Sequence, residues 1–218
     1  MRYYESFSNI NNDKTLIGEE IYAFKKYDGQ NFVAKYNTKK EEFIRFGSRT
    51  RIVNETDEQF GAAIILFREK IEPILLLFIR NNKQIFNVKE IEFYFEYVGE
   101  NSFCGVHNQN DEMHLVLIDI WLYKKGYIEP PIFYELTKNL NIDVAEVVYI
   151  GKLTNDFILD IKTNLDGNNI KYPKIKEGVV CKATIKRKGQ YLPKVKIKTN
   201  WWINKVKSKY PNSWENLI

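Results

Sequence analysis

The sequence predicts an α+β domain built mainly from antiparallel sheets flanked by helices. Short alternating or apolar runs cluster early, in the middle and late in the chain, which differs from a regular strand–helix alternation. The aromatic content of 15%, with 14 Tyr and 14 Phe, suits a β-rich core. A chain of 218 residues that is 44% hydrophobic can bury one substantial core, so we expect a single domain over residues 1–218.

Eight runs have the alternation or the apolar, β-branched character of strands. They are "IYAFKKY" (21–27), "NFVAKY" (31–36), "EFIRFGS" (42–48), "IEFYFEYVG" (91–99), "MHLVLIDIWLY" (113–123), "AEVVYIG" (145–151), "EGVVCKATI" (177–185) and "KVKIKT" (194–199).

Four segments predict helices. Residues 57–80 carry a long apolar face that Pro73 interrupts, and "PPIFYELTKNLN" (130–141) begins with prolines that suit a helix start. "TNDFILDIKTNLDG" (154–167) has Thr154 as its N-cap and Gly167 as its stop. The tail "WWINKVKSKY" (201–210) predicts a last short helix.

Several classes of protein are excluded by what the chain lacks. The N-terminus "MRYYESFSNINND" has no apolar signal region, and the apolar stretch around residues 62–79 contains too many charges for a membrane span. We therefore expect a soluble cytoplasmic protein without a membrane partner. Cys104, Cys181 and two histidines give too few ligands for a zinc site, and a disulfide is less expected than free thiols. Neither Gly-x-Gly-x-x-Gly nor Gly-x-x-x-x-Gly-Lys is present, so the sequence does not indicate Rossmann-type or P-loop nucleotide binding.

Positive charge is concentrated near the C-terminus. The net charge is +5, and residues 171–209 hold 12 lysines and one arginine against a single acid, Glu177. Such clustering favours polyanions such as nucleic acid or nucleotide phosphates, although a solvated lysine face is an equally good interpretation of charge alone.

The segment "FKKYDGQNF" (24–32) contains Lys-x-Asp-Gly, the spacing at which some enzymes present a nucleophilic amine. Alone it is a weak pattern. It is followed in order by "FGSRTR" (46–51), "FYFEYVG" (93–99), "LVLIDIW" (115–121), "EGVVCK" (177–182) and "KVKIK" (194–198).

This ordered series resembles the covalent nucleotidyltransferase superfamily of ATP-dependent polynucleotide ligases and mRNA-capping enzymes, and it covers nearly the whole chain. Gly29, Asn31 and Phe32 resemble the RNA ligase 2 and RNA-editing ligase group most closely. The resemblance implies a ligase-type adenylyltransferase domain. It also implies that Lys26, rather than its neighbour Lys25, attacks the α-phosphate of ATP to form a lysyl-AMP adduct.

Attack on the α-phosphate requires a neutral amine, but a free lysine has a pKa of about 10.4 and is mostly protonated at neutral pH. A nucleophilic lysine therefore needs a neighbour that lowers its pKa. A nearby cation lowers such a pKa, and Lys196, Lys198 or a bound metal could supply that charge.

The resemblance also implies roles for the other motif residues. Arg49 would contact the nucleotide, Glu96 the ribose hydroxyls, and Glu177 a Mg²⁺ or Mn²⁺ ion. Lys196 and Lys198, which alternate on one strand, would stabilise charge on the α-phosphate and assist catalysis. The full predicted nucleotide site consists of Lys26, Asp28, Gly29, Asn31, Arg49, Glu96, Lys196 and Lys198.

Each of these positions also has a structural interpretation. Arg49 alone would be a surface salt-bridge residue, Glu96 an edge-strand acid, Glu177 a solvated loop acid, and the alternating lysines a protected sheet edge.

The chain departs from the family pattern in three places. Lys25 replaces the glutamate common before the nucleophile. "LVLIDIW" lacks the aromatic that stacks on adenine, so Val116 or Leu117 is the candidate replacement, and Asp119 either supports the site or fixes a loop. Only 20 residues follow Lys198, so we expect no OB-fold or other C-terminal domain.

The expected function is therefore ATP-dependent ligation of RNA ends, with DNA ends as an alternative substrate. A non-catalytic module that binds nucleic-acid ends is the alternative from another class, and a GTP-using capping enzyme is a third. The lysine-rich region 171–209 and Trp201 are candidates for strand contact, although the pair Trp201 and Trp202 suits a hydrophobic anchor slightly better. A partner protein that supplies a strand-binding domain is a further expectation.

Overall fold

The computed structural model describes residues 4–100, 110–164, 171–172 and 175–217. Within these ranges the chain forms eleven strands: β1 (Ser8–Asn9), β2 (Glu20–Lys26), β3 (Gln30–Asn37), β4 (Glu42–Gly47), β5 (Ile52–Val53), β6 (Glu90–Val98), β7 (His114–Leu122), β8 (Gly126–Tyr127), β9 (Val147–Lys152), β10 (Gly178–Ala183) and β11 (Lys194–Lys198). The same ranges contain six α-helices: α1 (Gly61–Leu66), α2 (Glu72–Asn81), α3 (Lys83–Phe86), α4 (Pro130–Thr137), α5 (Asn155–Lys162) and α6 (Asn200–Lys209).

The strands form two sheets, which we call sheet A and sheet B. Sheet A has the order β1-β11-β10-β2-β9, and sheet B has the order β5-β4-β3-β6-β7-β8. Pairing is antiparallel throughout both sheets except between β1 and β11. The predicted α+β class with mainly antiparallel sheets is confirmed.

All eight predicted strands are present, with ends shifted by one or two residues. The sequence pattern missed the short strands β1, β5 and β8 and the single turn α3, because two to four residues are too few to show a period.

The first predicted helix is continuous past Pro73, contrary to the expectation that proline interrupts it. A π-helical turn, Phe67–Ile71, precedes α2, and Pro73 occupies its first turn. Proline is tolerated there because its missing N–H would have no partner inside the first turn of a regular helix.

The other three predicted helices begin close to their expected starts. α4 begins at Pro130, and α5 has Thr154 as its N-cap, whose hydroxyl accepts a hydrogen bond from the Phe157 N–H at 3.1 Å. α5 ends at Lys162, and the predicted stop at Gly167 lies outside the described residues.

Two apolar cores lie on the two faces of sheet B. Phe32, Ala34 and Tyr36 of β3 face a core shared with α1 and α2, whereas Val33 belongs to a second core that also contains residues of sheet A and α5. The alternation of side chains along β3 produces both contacts.

Within the described part of the chain, no helix is long and apolar enough to cross a membrane. Cys181 is a buried free thiol, and burial raises its pKa well above the usual range. Cys104 lies outside the described residues.

Candidate active site

A pocket of about 740 Å³ opens where β2 ends, between sheet A and sheet B. Its volume is in the range of small-molecule sites. The pocket is lined by every residue of the predicted nucleotide and metal sites: Lys26, Asp28, Gly29, Asn31, Arg49, Glu96, Glu177, Lys196 and Lys198. Residues from five separate parts of the sequence therefore converge on one cavity.

Strand register in sheet A brings the lysines together. Gly178 of β10 lies opposite Lys26 of β2 on one side and opposite Lys198 of β11 on the other. The close approach at Gly178 requires glycine, because an added Cβ would lie 2.0 Å from the Ile197 carbonyl oxygen and φ is +152°.

Glu177, just before Gly178, is the centre of the charged group. Its Oε1 lies 2.9 Å from Lys26 Nζ and 3.8 Å from Lys198 Nζ, and the residue is 3% exposed. Thr199 fixes this loop, since its N–H donates to the Glu177 carbonyl at 2.9 Å and its hydroxyl donates to the Lys176 carbonyl at 2.6 Å. The same hydroxyl accepts from Trp202 N–H and caps α6.

The pKa of Lys26 is shifted upward, opposite to the expectation. Burial lowers this pKa, but the charges of Glu177, Glu96 and Asp28 outweigh burial and raise it. Lys26 is therefore an ammonium ion in the protein alone. The expected effect of neighbouring cations appears instead on Lys196, whose pKa is lowered by burial and by the charges of Lys26 and Arg49.

Glu96 faces the same pocket from sheet B. It lies opposite Asn31 in the β3–β6 register and accepts a hydrogen bond from the Gly29 N–H. The pKa of Glu96 is raised to about 7. Burial is the main cause and the charge of Glu177 adds to it, while the positive charges of Lys26 and Arg49 act in the opposite direction.

Gly29 lines the pocket, but its glycine is required by packing. A Cβ there would lie 2.5 Å from the Tyr97 carbonyl oxygen and 2.6 Å from Val98 Cγ1. Packing against β6 is therefore sufficient to require glycine at this position.

Arg49 reaches the pocket mouth from a tight turn after β4. The Ser48 N–H donates to the Arg51 carbonyl at 2.8 Å, and the Ser48 hydroxyl accepts from Thr50 and Arg51 N–H groups. The turn holds Arg49 exposed at the rim, without the salt bridge that a surface arginine would be expected to make among the described residues.

Ile118 is the β7 residue that lines the pocket, so the candidates Val116 and Leu117 are wrong. The register between β6 and β7 shifts at Tyr94/Phe95, where Leu117 and Asp119 are paired and Ile118 lies between them. Such a bulge re-aims a side chain, and Val116 and Leu117 are buried in the core instead. Phe24 and Val180 line the same apolar end.

Asp119 is a structural acid rather than a pocket residue. Its carboxylate pairs with Lys182 at 2.8 Å and Lys194 at 2.8 Å and accepts from the Tyr4 hydroxyl at 2.5 Å. Sequence reasoning missed the two lysines as partners, although alternation along β10 and β11 places them on the pocket-side face.

The C-terminal helix α6 forms another wall of the pocket. Trp202 is 1% exposed and lies under the Lys198 ammonium, 3.7 Å from its ring centroid. The interpretation of the tryptophan pair as an anchor is thus correct for Trp202. Lys209 and Tyr210, which the motifs did not identify, also line the pocket.

The donor set fits a hard divalent cation that is completed by phosphates. Glu177 Oε2 is buried and has no hydrogen-bond partner among the described residues. Within the same residues no group of three acidic, histidine or cysteine side chains could hold a metal. Magnesium commonly binds through one carboxylate together with substrate phosphates, which matches this arrangement.

A family model described as RNA ligase matches residues 19–198. No curated protein shows significant similarity to the chain. Solved structures of an RNA ligase from Naegleria gruberi are similar in fold at low sequence identity. A mutant with ATP and Mn has a TM-score of 0.67 at 20% identity, with 94% of this chain and 58% of that chain covered.

A second mutant, with AMP and Mn, has a TM-score of 0.67 at 16% identity, with 94% and 58% covered. The same ligase with PPi has a TM-score of 0.61 at 18% identity, with 95% and 58% covered. The chain therefore spans a little over half the length of these proteins.

Proposed function

The chain belongs to the RNA ligase family, and on that premise we propose that it is an ATP-dependent RNA ligase. It would join 5′-phosphate and 3′-hydroxyl ends through a lysyl-AMP intermediate and an AMP-capped 5′ end.

One observation carries the proposal. Lys26, Glu177 and Lys198 form an ionic group at a cavity of nucleotide size, with Glu96 and Arg49 on its other walls. Glu177 and Lys198 are buried, and the Lys26 side chain is 25% exposed. A structural ion pair needs no such cavity, whereas a nucleophilic lysine does.

In the first step the Lys26 amine would form a bond to the α-phosphorus while the bond to the bridging oxygen breaks. Pyrophosphate leaves with the electron pair. The Lys26 ammonium loses two protons to solvent, one before the attack and one after it, and keeps one in the phosphoramidate N–H. The surrounding carboxylates raise the pKa of Lys26, and the negative charge of a bound triphosphate would raise it further. Binding of the triphosphate alone therefore does not produce the neutral amine. A Mg²⁺ or Mn²⁺ ion held by Glu177 would supply the positive charge that offsets the carboxylate and phosphates.

The remaining walls would hold the nucleotide. Lys196 and Lys198 would stabilise charge on the α-phosphate, and Glu96 and Asn31 would bind the ribose. Asn31 Oδ1 is buried without a hydrogen-bond partner among the described residues, so it can accept from a ribose hydroxyl. Ile118 and Val180 would cover the base.

ATP and the divalent metal are supported by the similar Naegleria gruberi structures, which contain ATP with Mn and AMP with Mn. RNA as substrate is supported by the family. DNA ends, and a partner protein that supplies a strand-binding domain, stay open proposals.

The test is covalent labelling with α-labelled ATP and Mg²⁺, in protein first stripped of bound AMP. We expect label on denatured wild-type protein and on Lys25→Ala, and none on Lys26→Ala. The two lysines are neighbours, so the pair is a matched control for position. Absence of label with ATP, GTP and NAD would overturn the proposal and favour the non-catalytic binding module.

A further inference from the structure

The position of α6 has a consequence for the leaving group. We infer that Lys209, at the end of α6, binds the β- and γ-phosphates of ATP and the departing pyrophosphate. This inference rests on the proposed function, because it adds a binding residue for the outer phosphates to the nucleotide pocket proposed above.

The helix geometry places Lys209 on the pocket side of α6. Trp202 and Lys209 are seven residues apart, which is two helical turns, so both lie on one face of α6. Both line the pocket. The Cα–Cβ bonds of a helix tilt toward its N-terminus, which points the base of the Lys209 side chain back along α6. The Lys209 ammonium lies 5.6 Å from the ring centroid of Tyr210, which also lines the pocket.

The docking of α6 makes this position well defined. Thr199 caps the helix and is also bonded to the Glu177 loop, so α6 and the nucleophile's ionic partner share one anchor. Trp202 and Val206 are buried beneath the helix. The backbone that carries Lys209 is therefore anchored at the pocket wall, while its side chain is exposed and free to adjust to a ligand.

The charge balance of the pocket favours a polyanion there. Its lining has seven cationic residues, Lys25, Lys26, Arg49, Lys182, Lys196, Lys198 and Lys209, against the acids Asp28, Glu96 and Glu177. Lys182 is paired with Asp119, and Lys26 and Lys198 share the single carboxylate of Glu177. Arg49 and Lys209 are the exposed cations of this lining, so solvent-borne phosphates can reach both side chains.

A lysine suits a leaving group because it supplies a mobile point charge that follows the phosphates as the bond breaks. The phosphorus–oxygen bond to pyrophosphate breaks with its electron pair on the oxygen, and the ammonium of Lys209 compensates this charge without giving up a proton.

The experiment measures pyrophosphate itself, in two ways. Isothermal titration gives the dissociation constant of pyrophosphate for the unmodified protein. Preformed, labelled enzyme–AMP is then treated with pyrophosphate, and the half-maximal concentration for release of ATP is determined. For Lys209→Ala we expect both values to rise about ten-fold or more, as for loss of one charged hydrogen bond.

Lys207→Ala is the matched control, since Lys207 is exposed on the same helix and its ammonium lies 4.2 Å from the Trp214 ring centroid, outside the pocket lining. We expect less than a two-fold change in pyrophosphate affinity for this variant. Lys209→Arg, which keeps the charge, should recover most of the loss.

Pyrophosphate affinity that is equal in Lys209→Ala and wild type would overturn the inference. If sealing of pre-adenylated RNA were slowed with pyrophosphate affinity unchanged, Lys209 would instead contact the RNA strand. A wild type that binds pyrophosphate but forms no enzyme–AMP would contradict the proposed function, while the binding measurement would still decide the role of Lys209.

Discussion

Glu96 is a single residue whose ionisation links the site to the stability of the fold. Its carboxyl lies between Lys26 and Arg49 yet has a pKa of about 7, because burial costs the charged form more than these cations return. The carboxyl of Glu96 therefore changes its protonation state close to neutral pH. A ribose hydroxyl that donates to Glu96 would favour its ionised form.

This shift predicts how stability depends on pH. In the unfolded chain Glu96 ionises near its usual 4.5, so between about pH 4.5 and 7 the folded state holds more protons than the unfolded state. The contribution of Glu96 to folding therefore becomes less favourable as pH rises through this window, by roughly 3 kcal/mol across the whole titration.

Glu96→Gln removes this titration. We expect its unfolding free energy, measured with denaturant at pH 5 and pH 8, to decline less with pH than that of the wild type. Glu41→Gln, on the exposed hairpin after β3, is the control and should preserve the wild-type slope. Parallel curves for Glu96→Gln and wild type would contradict the assignment.

At the scale of elements, the site depends on how closely β10 approaches β11. Gly178 permits the contact, and the loop before it carries Glu177 to a point between Lys26 and Lys198. A side chain at this position would move the loop and separate the ionic group.

We expect Gly178→Ala to reduce stability by about 2 kcal/mol or more and to abolish labelling by ATP, because both the backbone conformation and the Ile197 carbonyl oppose a Cβ. The measurements are denaturant unfolding and covalent labelling.

Gly189→Ala is the matched control, since φ is also positive there at +78° but no atom lies within 4 Å of the added carbon. Its cost should be about 1 kcal/mol with labelling intact. Equal behaviour of the two variants would show that strand approach does not position Glu177.

At the scale of the whole molecule, Asp119 connects the two sheets. The carboxylate belongs to β7 of sheet B, and its partners Lys182 and Lys194 belong to β10 and β11 of sheet A. Both lysines also lie over aromatic rings. Lys182 Nζ is 4.4 Å from the ring centroid of Phe24, and Lys194 Nζ is 3.4 Å from that of Tyr127. Burial disfavours the charge on Asp119, but the two lysines outweigh it and hold the pKa of Asp119 below its usual range.

Removal of this acid should destabilise the molecule as a unit. For Asp119→Asn we expect a loss of about 3–5 kcal/mol, because two buried ammonium groups lose their counter-charge. The lowered pKa implies that the stabilisation is present above pH 3.8 and is lost as pH falls through the folded-state pKa.

Asp160→Asn, which removes a pair with exposed Lys171, is the control and should change stability little. If Asp119→Asn is poorly soluble, the double variant with Lys194→Met should recover part of the loss. An Asp119→Asn protein as stable as the control would show that the cluster does not hold the sheets together.

The sequence by itself determined the eight longer strands, the starts of α4, α5 and α6, and the motif residues that line the pocket. Strand alternation has a period that local residues impose, and Lys26, Arg49, Glu96 and Glu177 occur in segments whose order is specific enough to identify them together.

Only the tertiary structure decided which charge each lysine meets. Lys194, Lys196 and Lys198 alternate identically along β11, yet Lys194 is neutralised by Asp119, Lys198 by Glu177, and Lys196 lies toward the pocket with a lowered pKa. The bulge that aims Ile118, the upward shift of the Lys26 pKa and the place of Lys209 likewise depend on register and burial. These are properties of contacts between distant segments, and local sequence patterns carry no record of them.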